Sequence, residues 1–285
     1  MAPPGSRITA VIPTLGRSPW LVPCLEALRK DAPEIEIVLI DQGEKPVETG
    51  VADKILRLGR NLGFASATNL GIAASSREFV AAVNDDALIE PGWTGRLVEA
   101  LDREPKAAAA QGVNLILQSP DLADGCGIAW NRWLQAVQVG HGEPAPPASD
   151  PVREVLGVSA TAALYRREAL PDHPFDPTLV SYYEDVDLAV RLQAEGWKAL
   201  LVPAARARHV GSATGATLSR ERWRLLYGNR WIVARRAFGR GFRIRMAVRD
   251  VLDLLRAALS LDGARVSGIL AGWVRAARAQ AATPG

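Results

Sequence analysis

Cysteine is nearly absent: Cys24 and Cys126 are the only two among 285 residues, and they form no Cys-x-x-Cys pair. That excludes a zinc ribbon or a disulfide framework, and a reduced, cytoplasmic setting is expected. Long apolar runs are missing too. The longest stretches, such as 266–274, fall far short of the ~20 residues a membrane-spanning helix needs. Residues 1–7 run directly into an apolar strand with no long hydrophobic targeting core, so no membrane crossing is expected. No Gly-x-x-x-x-Gly-Lys-[Ser/Thr] loop occurs, which weighs against an ATPase or kinase. Gly140-His141-Gly142 with Ala145 matches a dinucleotide fingerprint on paper. It opens a proline-rich loop over 143–151 rather than a helix, so the phosphate-binding geometry is missing. Lysine is absent after Lys198.

What is present is a globular composition, 48% hydrophobic and 23% charged. The length suits one large domain or two small ones. The net charge of +3 conceals two unlike halves. Residues 1–205 carry a net −9, whereas residues 206–285 carry 16 arginines against 4 acidic residues. A basic segment of this kind is suited to meeting something anionic.

Short β-branched runs at 8–12, 35–40, 55–58 and 79–83 alternate with helical patterns at 20–30 and 65–74. Pro13 is expected to end the first run. Such alternation predicts an α/β fold with a mostly parallel sheet, whose ligand sits beyond the carboxyl ends of the strands. Asp41 and Asn84-Asp85-Asp86 stand at such ends. Residues 111–155 read as irregular; order returns over 155–166, with a helix over 184–195 and a strand over 199–202. Beyond residue 220 the pattern is helical, over 220–238 and 245–278.

Four clusters carry chemistry. Adjacent carboxylates in Asn84-Asp85-Asp86 repel one another unless a cation or donors compensate, and hard cations take oxygen ligands; the ordinary alternative is a turn. Tyr182-Tyr183-Glu184-Asp185-Val186-Asp187 places three carboxylates at a helix start, where the helix dipole explains some and a general base another. His209 follows a strand; His141 and His173 read as ordinary loop histidines. Asn61-Leu62-Gly63-Phe64, with Asn69 behind it, offers close backbone approach and amides able to read a base or ribose.

In this order the clusters resemble the family 2 glycosyltransferases of GT-A fold, specifically their rhamnosyltransferase-like branch. The resemblance covers about residues 8–235 and includes Val11-Ile12-Pro13-Thr14, Gly196-Trp197, Pro203 and His209-Val210-Gly211-Ser212. It implies a Rossmann-like, mostly parallel sheet flanked by helices over 1–215, with an arginine-rich helical C-terminal extension over 216–285. It also implies inverting sugar transfer from a dTDP- or UDP-linked donor to a glycan or lipid-linked hydroxyl. By position, Asp86 and His209 would hold a divalent metal (Mn or Mg), and Asp185 would be the base. Pro13, Thr14, Asp41, Asn61, Gly63, Asn69, Asn84 and Asp85 would line the donor pocket. Two positions depart from the family pattern: Asn84 replaces the first Asp of its Asp-x-Asp element, and Asp41-Gln42-Gly43-Glu44 replaces Asp-x-Gly-Ser. The basic helices would pack on the catalytic domain or touch an anionic membrane from the cytoplasmic side; nucleic acid is not expected as a partner. A sugar nucleotidyltransferase and a non-catalytic basic binding module remain the alternative readings.

Overall fold

In the computed structural model, which describes residues 3–210, 219–238 and 241–281, all seven residues of β1 (Ile8–Thr14) are buried. A strand buried on both faces needs cover from two sides. Ile8, Ala10 and Ile12 face the core that holds Leu21, Cys24, Leu25 and Leu28 of α1 (Leu21–Asp31). Val11 faces the opposite core, which also includes Val38 and Ile40 of β2 (Glu36–Asp41). β3 (Lys54–Arg57) follows, and α2 (Phe64–Ala73) lays Ala65, Ala67 and Ile72 on that second face. Gly71 lets α2 approach closely, since a Cβ there would lie 2.2 Å from Val11 Cγ1.

The next elements are β4 (Phe79–Val83), β5 (Ala87–Ile89), α3 (Trp93–Arg103), β6 (Ala107–Ile116) and β7 (Ser119–Gly125). A small hairpin, β8 (Ile128–Trp130) with β9 (Ala136–Gln138), precedes β10 (Arg153–Val155) and β11 (Ala162–Arg166). α4 (Glu184–Ala194) and β12 (Lys198–His209) complete the sheet region. The strand order is β10-β12-β6-β11-β4-β1-β2-β3, with β5 paired to β12 and β7 to β6. β4, β1, β2 and β3 run parallel, as do β6 and β12, and β11 is inserted antiparallel between β4 and β6.

Two expectations are corrected here. Pro13 does not end β1: it pairs with Ile40 where β4 has already separated from β1, so its missing N–H interrupts no central ladder. Residues 111–155, read as irregular, carry the end of β6 and all of β7 to β10, with the stretch 139–152 between β9 and β10 outside any strand. β6 begins before that range, and its four alanines 107–110 carry little β signal, so burial at the sheet centre decides their state.

After β12 come α5 (Arg220–Phe238), α6 (Arg243–Leu259) and α7 (Gly263–Ala281). The helix expected over 245–278 is thus two helices. Leu261 adopts φ 55°, ending α6, and the Asp262 carboxylate caps the Arg265 N–H to start the next. α5 and α7 cross at backbone contact, since a Cβ on Gly272 would lie 2.9 Å from the Gly228 nitrogen. Among the described residues no helix is long and apolar enough to cross a membrane.

Candidate active site

The parallel strands deliver Thr14, Asp41 and Asn84 to one edge of the sheet. Asp85 turns back into the fold, where its Oδ2 accepts the Thr14 hydroxyl at 2.5 Å. Burial raises its pKa, and the Thr14 bond opposes that rise. Thr14 also accepts the Gly16 N–H, so one hydroxyl ties the β1 and β4 loops together.

Asp86 turns outward. β5 pairs Ala87 with His209, which brings His209 Nε2 within 3.2 Å of Asp86 Oδ1. The other ring nitrogen, Nδ1, lies 2.8 Å from Asp124 Oδ2 on β7. Burial alone would depress this imidazole, but its bonds to Asp124 and Asp86 dominate and hold its pKa at about 9. Asp124 also draws in His141, whose Nδ1 is 2.9 Å from the Asp124 carbonyl oxygen.

The arrangement fits a divalent ion. Two ligand atoms about 2.1 Å from one metal sit roughly 3 Å apart, close to the observed Asp86–His209 separation. The Asp124 carboxylate behind the imidazole is the usual orienting partner of a metal-binding histidine. Among the described residues no group of three or more His, Cys, Asp or Glu could hold a metal ion. Asp86 and His209 therefore fit only a site that a substrate helps to complete.

Across the same opening stands the start of α4. Asp185 Oδ1 accepts the Val186 N–H at 2.8 Å, and Oδ2 lies 3.4 Å from the Ala160 nitrogen. Burial raises the Asp185 pKa against these N–H bonds and the Ser159 hydroxyl. Glu184 is buried, and burial followed by repulsion from Asp185 raises it too, so the two carboxyls titrate as a coupled pair above the ordinary carboxylate range. The segment 159–161 joins the two centres: Ala160 faces Asp185, and the Thr161 carbonyl accepts the Asn84 N–H at 2.9 Å. One cleft of about 1100 Å³ is lined by Asn84, Asp86, Asp124, His209 and Asp185 together.

The approach to Asp185 is strained. Val180, Tyr182 and Tyr183 adopt φ of 65°, 69° and 70°, a region that side chains with Cβ rarely occupy. The C-terminal helices hold it. Asn229 on α5 is fully buried, and its Nδ2 lies 2.7, 2.9 and 2.8 Å from the carbonyl oxygens of Leu179, Ser181 and Tyr182. Arg275 on α7 donates to Asn229 Oδ1 at 3.0 Å and also bonds the Thr178 carbonyl. Arg236 pairs with Asp187, whose carboxylate is fully buried. Asn229→Leu is expected to lower kcat about 10- to 100-fold and reduce thermal stability, because it orphans buried carbonyls. Nucleotide affinity should change less than about twofold. Equal losses in turnover and nucleotide affinity would contradict this positioning role.

Of the other expected pocket residues, Pro13, Asp41, Asn61, Gly63 and Asn69 do not line the cleft, and each has its own engagement. Asp41 is fully buried and accepts Gly43 N–H, Val47 N–H and Arg57 Nη1 at 2.9, 2.9 and 2.5 Å, so it braces the loop after β2 rather than facing the cleft. Asn61 Oδ1 caps the Gly63 N–H at 2.8 Å, and Gly63 has φ 82° with Val180 packed where a Cβ would be. Asn69 is the clearest departure. Its amide clasps both backbone groups of Phe175, at 2.6 and 3.0 Å, so it pins a loop instead of offering itself to a base. Pro13 is buried in β1. Asp124, Ser159 and Arg222 also line the cleft with no signal along the chain to single them out, and so does His141, which reads in the sequence as an ordinary loop histidine. Gly211 and Ser212 lie outside the described residues.

The family model for glycosyl transferase family 2 matches residues 9–173. The chain is similar to N-acetylglucosaminyl-diphospho-decaprenol L-rhamnosyltransferase of Mycobacterium tuberculosis (strain ATCC 25618 / H37Rv), with 29% identity over 184 residues. That match takes in 55% of this chain and 58% of the relative, so it spans little more than half of the relative's length. Among solved structures the fold resembles GalNAc-T7 with UDP, GalNAc and Mn2+ (TM-score 0.64, 15% identity), covering 90% of this chain and 51% of that one. It also resembles the mannosyltransferase PcManGT from Pyrobaculum calidifontis in complex with GDP-Man and Mn2+ (TM-score 0.54, 14% identity), covering 95% and 87%.

Proposed function

Because the chain belongs to glycosyl transferase family 2 and is a glycosyltransferase of GT-A fold, we propose that it is an inverting, metal-dependent enzyme using a dTDP- or UDP-linked sugar. The observation that carries this reading is the single cleft shared by Asp86, His209 and Asp185. The donor diphosphate lies on the Asp86 side, where Asp86 and His209 would hold a divalent ion and Asn84 adds an uncharged amide. Such an ion, when bound, supplies Lewis-acid neutralisation of the departing diphosphate. Thr14, Asp85, Pro13 and the Asp41–Arg57 brace shape the nucleotide pocket, with Asn61 and Gly63 at its lip and Asn69 fixing the wall behind.

Asp185 accepts the proton of the acceptor hydroxyl as that oxygen bonds to the anomeric carbon and the bond to the diphosphate breaks. Val186 N–H and Ala160 N–H favour its charged form. One base on one face gives one displacement, hence inversion. A lipid-linked acceptor with a diphosphate is supported by the name of the mycobacterial relative and by Arg222, which lines the cleft and has no ion-pair partner among the described residues. Rhamnose is the donor sugar that the same relative supports. Residues 1–215 form the catalytic unit in this reading, and 216–285 an extension that positions its base.

A panel of nucleotide sugars with a polyprenyl-diphosphate-linked acceptor sugar tests this, with the product's anomeric configuration read by NMR. The expected result is transfer of rhamnose, with the product anomer opposite to the donor's. Retained configuration, or turnover unaffected by a chelator, would contradict it.

A further inference from the structure

α6 is amphipathic with its faces reversed. The positions turned inward are Met246, Asp250, Asp253 and Ala257, all buried. Two of these four are carboxylates, each held by interior partners. Asp250 takes the indole N–H groups of Trp231 and Trp273, both at 2.7 Å, and pairs with Arg230. Asp253 takes the Tyr227 hydroxyl at 3.0 Å and the Arg249 guanidinium at 3.0 Å. About half a turn away, at 3.6 residues per turn, lie Ile244, Val248, Val251, Leu252, Leu255 and Leu259. All six are exposed: Ile244 is 78%, Leu255 55% and Leu259 85% accessible. Leu261 in the following turn is 92% accessible, and Leu270 and Val274 of α7 are exposed as well.

A water-facing helix ordinarily shows the opposite pattern, and an apolar surface of this extent marks an interaction site. Charge chooses the occupant. Both acids of α6 point inward, so the charges on its exposed surface are arginines: Arg243, Arg245 and Arg256. We infer that this face of α6 docks on an anionic lipid surface, with the aliphatic stripe entering the headgroup boundary and the arginines meeting lipid phosphates. Among the described residues nothing covers the stripe. Lipid contact also suits the lack of lysine, because guanidinium binds phosphate oxygens in a bidentate fork.

Flotation of the full chain with vesicles tests this, and it needs neither donor nor acceptor. Wild-type protein is expected to float with vesicles containing roughly a third phosphatidylglycerol, to bind pure phosphatidylcholine far less, and to release as salt rises. Val251→Glu with Leu255→Glu should weaken binding by about a hundredfold at an unchanged thermal midpoint, since both side chains are exposed. Ile244→Glu with Leu259→Glu, at the two ends of the stripe, should do the same and guards against a folding defect in the first pair. Arg245→Gln with Arg256→Gln should cost about tenfold or more and flatten the salt dependence. Wild-type protein that stays with the soluble fraction would overturn the inference. So would both glutamate variants floating like wild type. A wild-type dimer that the glutamate variants convert to monomer, with no vesicle binding, would assign the face to a second copy of the chain.

Discussion

Asp185→Asn is expected to reduce kcat by about 10²- to 10⁴-fold, the usual contribution of a positioned general base, while nucleotide affinity stays within about twofold of wild type. The asparagine keeps the strong 2.8 Å bond from Val186 N–H and gives up the weaker engagements of Ala160 N–H and the Ser159 hydroxyl, so the fold should survive. What disappears is the acceptor for the hydroxyl proton. The pH profile adds a second readout. Burial lifts the Asp185 pKa in the folded enzyme above the ordinary aspartate value, so the charged, active form accumulates only as pH rises through that higher value. The acid limb of kcat should therefore lie above the range of an exposed aspartate, and Asp185→Asn should abolish the limb along with the activity. Steady-state kinetics across pH, with nucleotide binding by calorimetry, check both. An active Asp185→Asn enzyme would remove this carboxylate as the base.

Asp86→Ala is expected to lower kcat/KM by about 10³-fold or more, because charge neutralisation at the leaving diphosphate is worth several kcal/mol. Asp86 is only partly buried and faces the cleft, whereas its neighbour Asp85 is tied to Thr14. The two adjacent carboxylates should therefore separate cleanly. Asp86→Ala should leave the thermal midpoint nearly unchanged and remove metal-stimulated turnover. Asp85→Ala should destabilise the protein, because it leaves the Thr14 hydroxyl without its acceptor where the β1 and β4 loops meet. Turnover and thermal unfolding measured on both variants decide the matter. A catalytically silent Asp86→Ala would mean that the diphosphate is neutralised elsewhere.

The parallel half of the sheet was legible because its strands are continuous apolar runs separated by helical periodicity, and burial on both faces leaves no other reading. The same logic drew attention to the clusters 84–86 and 184–187, carboxylates at a strand end and a helix start that stand out against the apolar elements before them. The choice of Asp86 and Asp185 within them rests on the family resemblance. Asp124 could not be found this way. It reaches His209 only because β12 returns to pair with the stretch of β6 whose other side carries the β6–β7 hairpin, a non-local pairing that no spacing along the chain announces. His141 reaches the cleft through the same aspartate. Asn69 shows the converse error, since an amide near a glycine turn suits a ligand or a backbone clasp equally, and only the position of Phe175 decides. Asn229 is one polar residue in an arginine-rich helix, with nothing along the chain to single it out. Its task is visible only once the carbonyls of Leu179, Ser181 and Tyr182 are seen to converge on it.

The most direct test of the shared cleft is titration of UDP and dTDP into wild type and Asp86→Ala, each with and without Mn2+. Nucleotide affinity in the wild type should tighten about tenfold or more on adding the metal, and Asp86→Ala should lose that increment while keeping its metal-free affinity. Equal nucleotide affinity with and without metal in the wild-type protein would contradict the account.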